Sequence, residues 1–178
     1  MKREDAYYFK ILLMSGFSDG YDQWLNGYLE TEDPLSDIVL ELSFCGSDLD
    51  KTISCLHNYC MKQSFDENAV CDRLRLFLKE AYHSKRLSKA ETISCMYRFA
   101  NSHGDPGDFD NRLWDDMFYM DYYHSLAKDG IIPWDRFDFA FSSYLDDGIT
   151  IDSGVIWNLK KQTKKSFFSK IISLFNKK

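Results

Sequence analysis

The chain has 178 residues, of which 44% are hydrophobic and 16% aromatic, and a formal net charge of −6. This length suits about one domain, and so hydrophobic a composition excludes an intrinsically disordered chain. All 28 acids precede Trp157, where 15 basic residues leave the body at −13, whereas residues 158–178 hold seven lysines and no acid. A body of that charge argues against direct nucleic-acid binding.

Apolar residues recur at helical spacing from the start of the chain. In residues 1–14, Tyr7, Ile11 and Met14 lie on one face of a first helix, which Gly16 ends. A second apolar stripe, spaced i, i+3, i+4, i+7 and i+8, begins at Tyr21. These patterns predict two amphipathic helices, each with one buried face.

Helix-start signals divide the next 70 residues. Asp33-Pro34 predicts a third helix, with an acidic N-cap and proline in the first turn. Ser47 and Asp66 are the expected N-caps of the fourth and fifth helices, because each supplies an oxygen for free N–H groups. Ser88 and Glu91 have the S-x-x-E spacing of a capping box and predict a sixth.

The remaining body is expected to contain a loop, two more helices and one short strand. Residues 101–108 read NSHGDPGD, which is typical of a loop. A helix over 110–128 should end at Gly130, and Pro133-Trp134 should open another that Asp147-Gly148 closes. Residues 149–152 alternate like a strand. Core positions are predicted at Trp24, Leu42, Ile53, Leu74, Phe77, Tyr97, Trp114 and Phe141.

The predicted fold class is therefore all-α. About eight amphipathic helices should form a single bundle or stacked helical hairpins over residues 1–157, followed by a basic amphipathic tail over residues 158–178. The five cysteines are odd in number and include no CxxC, so buried reduced thiols are expected. A cytoplasmic location is also expected, since the first residues do not fit a signal peptide and no apolar run reaches 18 residues.

Residues 101–157 have an unusual charge pattern. They contain twelve Asp, no Glu and three basic residues, although Glu and Lys favour a helix more than Asp does. Dense Asp among aromatic rings is typical of a recognition surface for a cationic partner. The candidate partner-binding residues are Asp108, Asp110, Asp115, Asp116, Tyr119, Tyr122, Tyr123, Trp134, Asp135 and Asp138. Alternatively, Asp110, Asp135 and Asp147 serve as caps and turn residues around a solvated face.

Two segments carry a resemblance to a known class of proteins. The run DNRLWDDMFYMDYYHSLAKDGIIPWDRFDFAFSSYLDDG at 110–148 and the end KKSFFSKIISLFNKK resemble immunity proteins of contact-dependent and polymorphic bacterial toxin systems. The resemblance implies a protein with no catalytic chemistry and no cofactor. It also implies a partner: a cognate toxin, whose basic site the acidic face would cover. The resemblance assigns no role to an individual residue.

A metal-dependent helical enzyme is the alternative from another class. Glu80 with His83, and Asp121 with His124, place a carboxylate and an imidazole at i, i+3, which is part of the di-iron bundle pattern. The opposing interpretation is that His83 lies at a helix C-terminus, where a cation is favoured, and that His124 packs among rings. No phosphate-binding loop or nucleophile motif accompanies these pairs.

The tail suggests a third alternative, an adaptor recruited to a membrane. Flanking lysines and a predicted apolar face are typical of a helix that lies on a membrane surface. Peripheral contact with the inner face of the membrane would follow. The same helix could instead dock on the acidic body. The apolar face would consist of Phe167, Phe168, Ile171, Leu174 and Phe175.

Overall fold

The computed structural model describes residues 1–104 and 112–151, which form eight α-helices and no strand. The all-α prediction is confirmed. The helices are α1 (Arg3–Met14), α2 (Tyr21–Thr31), α3 (Asp37–Ser43), α4 (Leu49–Cys60), α5 (Glu67–His83), α6 (Lys89–His103), α7 (Arg112–Lys128) and α8 (Trp134–Asp147). The strand predicted at 149–152 is wrong for residues 149–151, which are irregular, and Asp152 lies outside the described residues.

Contacts divide the chain into two compact units, Met1–Asp121 and Tyr122–Lys178. The division falls inside α7, whereas the sequence predicted one domain over residues 1–157. The first unit contains α1 to α6 and the beginning of α7. The described part of the second unit, residues 122–151, contains the end of α7 and all of α8. The boundary predicted between 157 and 158, and the basic tail itself, lie outside the described residues.

Helix α1 is the central helix of the first unit. Every residue from 6 to 13 is buried, and α1 contacts α4, α5 and α6. Helix α1 is therefore buried on more sides than the one apolar face that the sequence predicted. Met14, which was predicted to lie on that face, is 46% exposed. A helix covered on all sides needs no polar face, which explains the nearly unbroken apolar sequence YYFKILL.

One charged side chain lies within this buried run. Lys10 is 6% exposed, and its Nζ lies 4.6 Å from the centre of the Tyr7 ring. Burial lowers the pKa of Lys10 and raises that of Tyr7. The Tyr7 hydroxyl lies 2.9 Å from Nδ1 of His103, and the His103 ring stacks on Trp114 at 4.1 Å. These contacts join α1, α6 and α7 within the first unit.

Burial also sets the protonation of His103. It lowers the pKa of His103 to about 4, and the ammonium of Lys10 acts in the same direction. The Glu67 carboxylate, 3.5 Å from Nε2, opposes this shift, but it is 53% exposed and screened by water. The ring is therefore neutral at pH 7, and its unprotonated Nδ1 can accept the Tyr7 hydroxyl.

This shift predicts a loss of stability in mild acid. An unfolded histidine titrates near pH ~6.5, so between that pH and about pH 4 the unfolded chain binds a proton that the folded chain does not. We expect the free energy of unfolding to decrease as the pH is lowered through this window. The decrease should be smaller in His103→Gln, which lacks the titrating ring. Urea denaturation from pH 7 to pH 4.5 measures both, and His57→Gln, at an exposed position of α4, is the control. An unchanged pH profile in His103→Gln would contradict the assignment.

Most of the predicted core is confirmed. Leu42, Leu74, Phe77, Trp114 and Phe141 are buried. Trp24 and Ile53 are half-buried, and Tyr97 is wrong as a core residue because it is 40% exposed. The Tyr97 ring instead lies on Phe118, with centroids 5.1 Å apart, while Met96 beside it points inward.

Two predicted helix starts are confirmed at atomic detail. The Asp66 carboxylate accepts a hydrogen bond from the Ala69 N–H at 3.0 Å. Ser88 Oγ accepts the Glu91 N–H at 3.3 Å, and a Glu91 carboxylate oxygen accepts the Ser88 N–H at 2.8 Å. Both halves of the capping box are present, and the Ser88 donors lower the pKa of Glu91.

The starts predicted for α3 and α4 are wrong by three residues and by one residue, respectively. Helix α3 begins at Asp37 because the Glu32 carboxylate accepts the Ser36 N–H and hydroxyl, at 3.1 and 2.7 Å, and so places Ser36 as N-cap. Asp33-Pro34, a cis peptide, precedes this turn. For α4 the N-cap is Asp48 rather than Ser47, since its carboxylate accepts the Lys51 N–H at 3.0 Å.

The ends of the later helices follow the predicted glycines. Gly130 and Gly148 have φ of +71° and +65°, a left-handed conformation that glycine adopts without strain. Helix α6 runs on to His103, so the predicted loop starts at Gly104 at the earliest, and residues 105–108 lie outside the described part. Helix α7 is described from Arg112 rather than 110.

Candidate functional site

The predicted acidic and aromatic segment is divided between the two units. In the first unit, Asp115 is partly exposed and Tyr119 is 40% exposed. Asp116 is only 6% exposed, so the prediction that it belongs to an accessible face is wrong. It lies one turn before buried Met120 and therefore on the inward side of α7. Asp108 and Asp110 lie outside the described residues.

The second unit exposes most of its candidate residues. Tyr122 is 57% exposed, Trp134 is 48% exposed and Asp135 is exposed, whereas Tyr123 and Asp138 are half-buried. Three of these five lie on α8 at its N-terminal end. Helix α8 therefore holds the densest group of candidate side chains within residues 122–151.

Helix α8 has two distinct faces. Phe137, Phe141 and Tyr144 are at most 1% exposed. At 100° per residue, the arc from the edge of this buried stripe to the opposite side of the helix carries two rings and two carboxylates. We call this arc the α8 face, and it consists of Trp134, Asp135, Asp138 and Phe139. Phe139 is 48% exposed and is not among the candidate partner-binding residues that the sequence predicted. The sequence indicates the exposure of Phe139, because this residue falls outside the apolar stripe through Phe137 and Phe141.

Trp134 is exposed but held in place. Its ring meets His124 at 5.8 Å and Phe137 at 5.9 Å, both edge to face. The spacing of Trp134 with Phe137 and Phe141 also fits a buried stripe, but 48% of the residue is exposed. A ring supported at one edge loses less conformational freedom on binding than an unsupported one. This arrangement suits an aromatic anchor.

The charge around the α8 face is negative. Residues 122–151 contain five Asp against Lys128 and Arg136, which gives −3. Asp135 lies in the first turn of α8, where a carboxylate also stabilises the helix dipole. The alternative role for Asp135, as a helix-start residue, is therefore compatible with its exposure to a partner. Asp147 is the last residue of α8 and is exposed.

The carboxylate–histidine pairs differ in their surroundings. Glu80, His83 and Asp121 are exposed, whereas His124 is 8% exposed. The His124 ring stacks on Phe137 at 5.3 Å with planes 30° apart. His124 thus packs among rings, and His83 is the last residue of α5, as the opposing interpretation expected. Across residues 1–104 and 112–151, no group of three or more His, Cys, Asp or Glu side chains is arranged to hold a metal ion.

The packing of His124 predicts unequal effects of the two histidines on stability. His124→Ala removes a buried ring that packs against Trp134 and Phe137, and it should lower the free energy of unfolding by about 2 kcal/mol. His83→Ala, at an exposed helix end, should leave it unchanged within about 0.5 kcal/mol. Urea denaturation measures both. Metal analysis of the purified full chain is the companion measurement. One or two bound metal ions, lost in both variants, would contradict a packing role.

The chain matches no protein-family model, no curated protein and no solved structure. Within the described ranges, no helix has both the length and the apolar character needed to cross a bilayer. The assignment of function therefore rests on the residues and their geometry.

Proposed function

We propose that this is a non-catalytic binding protein and that it neutralises a cognate bacterial toxin. The α8 face would cover a basic site on the toxin. One observation carries the proposal: Trp134 and Phe139 are each 48% exposed near exposed Asp135, on a helix that also has a buried apolar stripe. Large rings grouped with charge on a surface are typical of protein interfaces.

The mechanism would be stoichiometric occlusion. Carboxylates around the α8 face attract a positively charged surface and orient it during encounter, which raises the association rate. The two rings then exclude water from the centre of the contact and slow dissociation. Neither role needs a cofactor or a bond-forming step. An acidic face that covers a basic cleft would block substrate from entering it.

Two other functions remain as alternatives. The metal-dependent enzyme rests on Glu80 with His83 and on Asp121 with His124, and no third ligand joins either pair within the described residues. The membrane-recruited adaptor rests on the basic tail, which lies outside them. The binding proposal is preferred because described, exposed side chains support it.

The charges of the α8 face should act on the association rate. A partner is captured from the native host with the tagged full chain and purified, and its binding kinetics are then measured. Reversal of two carboxylates, by Asp135→Lys with Asp138→Lys, should slow association about tenfold at low salt. The loss should shrink as salt rises to 0.5 M because ions screen the field. Far-UV circular dichroism checks that the variant is folded.

The matched control reverses acids elsewhere. Asp22 and Asp50 are exposed and, like Asp135, lie in the first turns of their helices, in the first unit. Asp22→Lys with Asp50→Lys changes the total charge by the same amount as the α8 substitutions. The association rate of this control should remain much higher than that of the α8 variant. Equal slowing by the two variants would mean that net charge, rather than the α8 face, steers the partner.

The rings of the α8 face should act on the dissociation rate. Trp134→Ala or Phe139→Ala should weaken binding by about 2 kcal/mol, or roughly 30-fold, mainly through faster dissociation. Phe44→Ala is the control, since Phe44 is 72% exposed in the first unit. Binding that survives both α8 substitutions would place the interface elsewhere.

A growth assay separates toxin immunity from binding in general. Expression of the captured partner alone should arrest growth, and co-expression of the wild-type chain should restore it. The Asp135→Lys, Asp138→Lys variant should restore it poorly. A partner that binds through the α8 face but does not harm the cell would overturn immunity while leaving the binding face supported.

A further inference from the structure

Two of the five cysteines lie next to each other. The Sγ atoms of Cys45 and Cys55 are 3.7 Å apart, although ten residues separate them in the chain. Cys45 follows the C-cap of α3, and Cys55 lies in the middle of α4. All five cysteines are free thiols. The sequence predicted buried reduced thiols without pairing any of them.

The pair is also within reach of solvent. Cys55 is half-buried and lines a cavity of about 240 Å³ between α3 and α4, bordered by Ser36, Glu41 and Tyr59 among others. A cavity of this volume admits several water-sized molecules. Cys45 is 5% exposed and is not part of the cavity lining. The thiols of Cys60, Cys71 and Cys95 are more deeply buried, at 0 to 1% exposure.

We propose that Cys45 and Cys55 form a redox-active dithiol, which a peroxide converts to an intramolecular disulfide. The Cys55 thiolate attacks the terminal oxygen of a hydroperoxide, the O–O bond breaks, and the alkoxide leaves as the alcohol after taking up a proton. Cys55 is then a sulfenic acid. The Cys45 sulfur attacks the Cys55 sulfur and displaces hydroxide, which leaves as water with the Cys45 proton. The peroxide is reduced by two electrons and the two thiols are oxidised to one disulfide.

The geometry favours this pair over any other. The two sulfurs must approach by roughly 1.6 Å to reach the ~2.05 Å of a disulfide bond, which side-chain rotation can supply. Cys45 donates its S–H to the Glu41 carbonyl oxygen at 3.3 Å, which holds it at the end of α3 facing α4. The bond would join α3, a helix of seven residues, to α4. Oxidation would therefore fix the walls of the cavity between these helices.

The rate of the first step should depend on pH. Burial raises the pKa of the Cys55 thiol, and the neighbouring Cys45 thiol acts in the same direction. The thiolate is the reactive form, so oxidation is slow at pH 7 and should accelerate about tenfold per pH unit below the pKa. Glu41 contributes to the raised pKa, and Lys51 opposes it.

Peptide mapping tests the proposal on the full chain. Trypsin cleaves after Lys51, which separates Cys45 from the peptide 52–62 that contains both Cys55 and Cys60. After brief treatment with hydrogen peroxide and alkylation of remaining thiols, we expect the peptides 11–51 and 52–62 to be linked by a disulfide. The link should form at least ten times faster than the thiols of Cys71 and Cys95 are lost, and dithiothreitol should reverse it.

Variants assign the two roles. In Cys45→Ser, the sulfenic acid of Cys55 should persist and react with dimedone, whereas Cys55→Ser should show no rapid oxidation at position 45. Cys60→Ala is the matched control and should still form the link, which then identifies Cys55 as the partner. Loss of the link in Cys60→Ala would overturn the pairing. Oxidation of Cys55 beyond the sulfenic acid without a link, or equal oxidation of all five thiols, would also overturn it.

Discussion

The complete burial of one helix determines the architecture of the first unit. Residues 6–13 of α1 have no exposed side, so α4, α5 and α6 each have to cover part of the surface of α1. Burial of a large apolar surface is the main favourable contribution to folding. Because α1 contributes one continuous run of apolar surface, the surrounding helices lie where they cover that surface. Helices α2 and α3 contact each other, and α3 contacts α4.

Polar groups near α1 specify how its neighbours meet it. Lys10 is enclosed and retains the Tyr7 ring as a contact for its ammonium, and Tyr7 also reaches His103 at the end of α6. Outside this group, the Arg73 guanidinium lies 3.9 Å above the Tyr8 ring and forms an ion pair with Asp5. Apolar packing tolerates small rotations of a helix, whereas these directional contacts allow fewer positions.

The proposed binding face has the opposite composition. On α8, rings lie exposed beside carboxylates, although a ring in water forgoes the stabilisation of burial. Trp134 keeps part of that stabilisation through His124 and Phe137. His124 therefore supports the Trp134 ring through these contacts. The carboxylate of Asp135 likewise stabilises the start of α8 and is available to a basic partner.

The sequence by itself determined where most helices begin and end, because those signals are local. Asp66, and Ser88 with Glu91, cap amides within three residues, and Gly130 and Gly148 end helices through their own backbone conformation. Where two polar residues compete for one cap, as at Ser47 and Asp48, local chemistry alone was not decisive. Only the tertiary structure decided which side of each helix is inside. Asp116 turned inward, while Trp134 and Tyr97 turned outward, and Cys45 came to lie beside Cys55. Burial and proximity depend on residues that are far away in the chain. A spacing pattern describes only the helix that contains the residue, so it cannot predict these contacts.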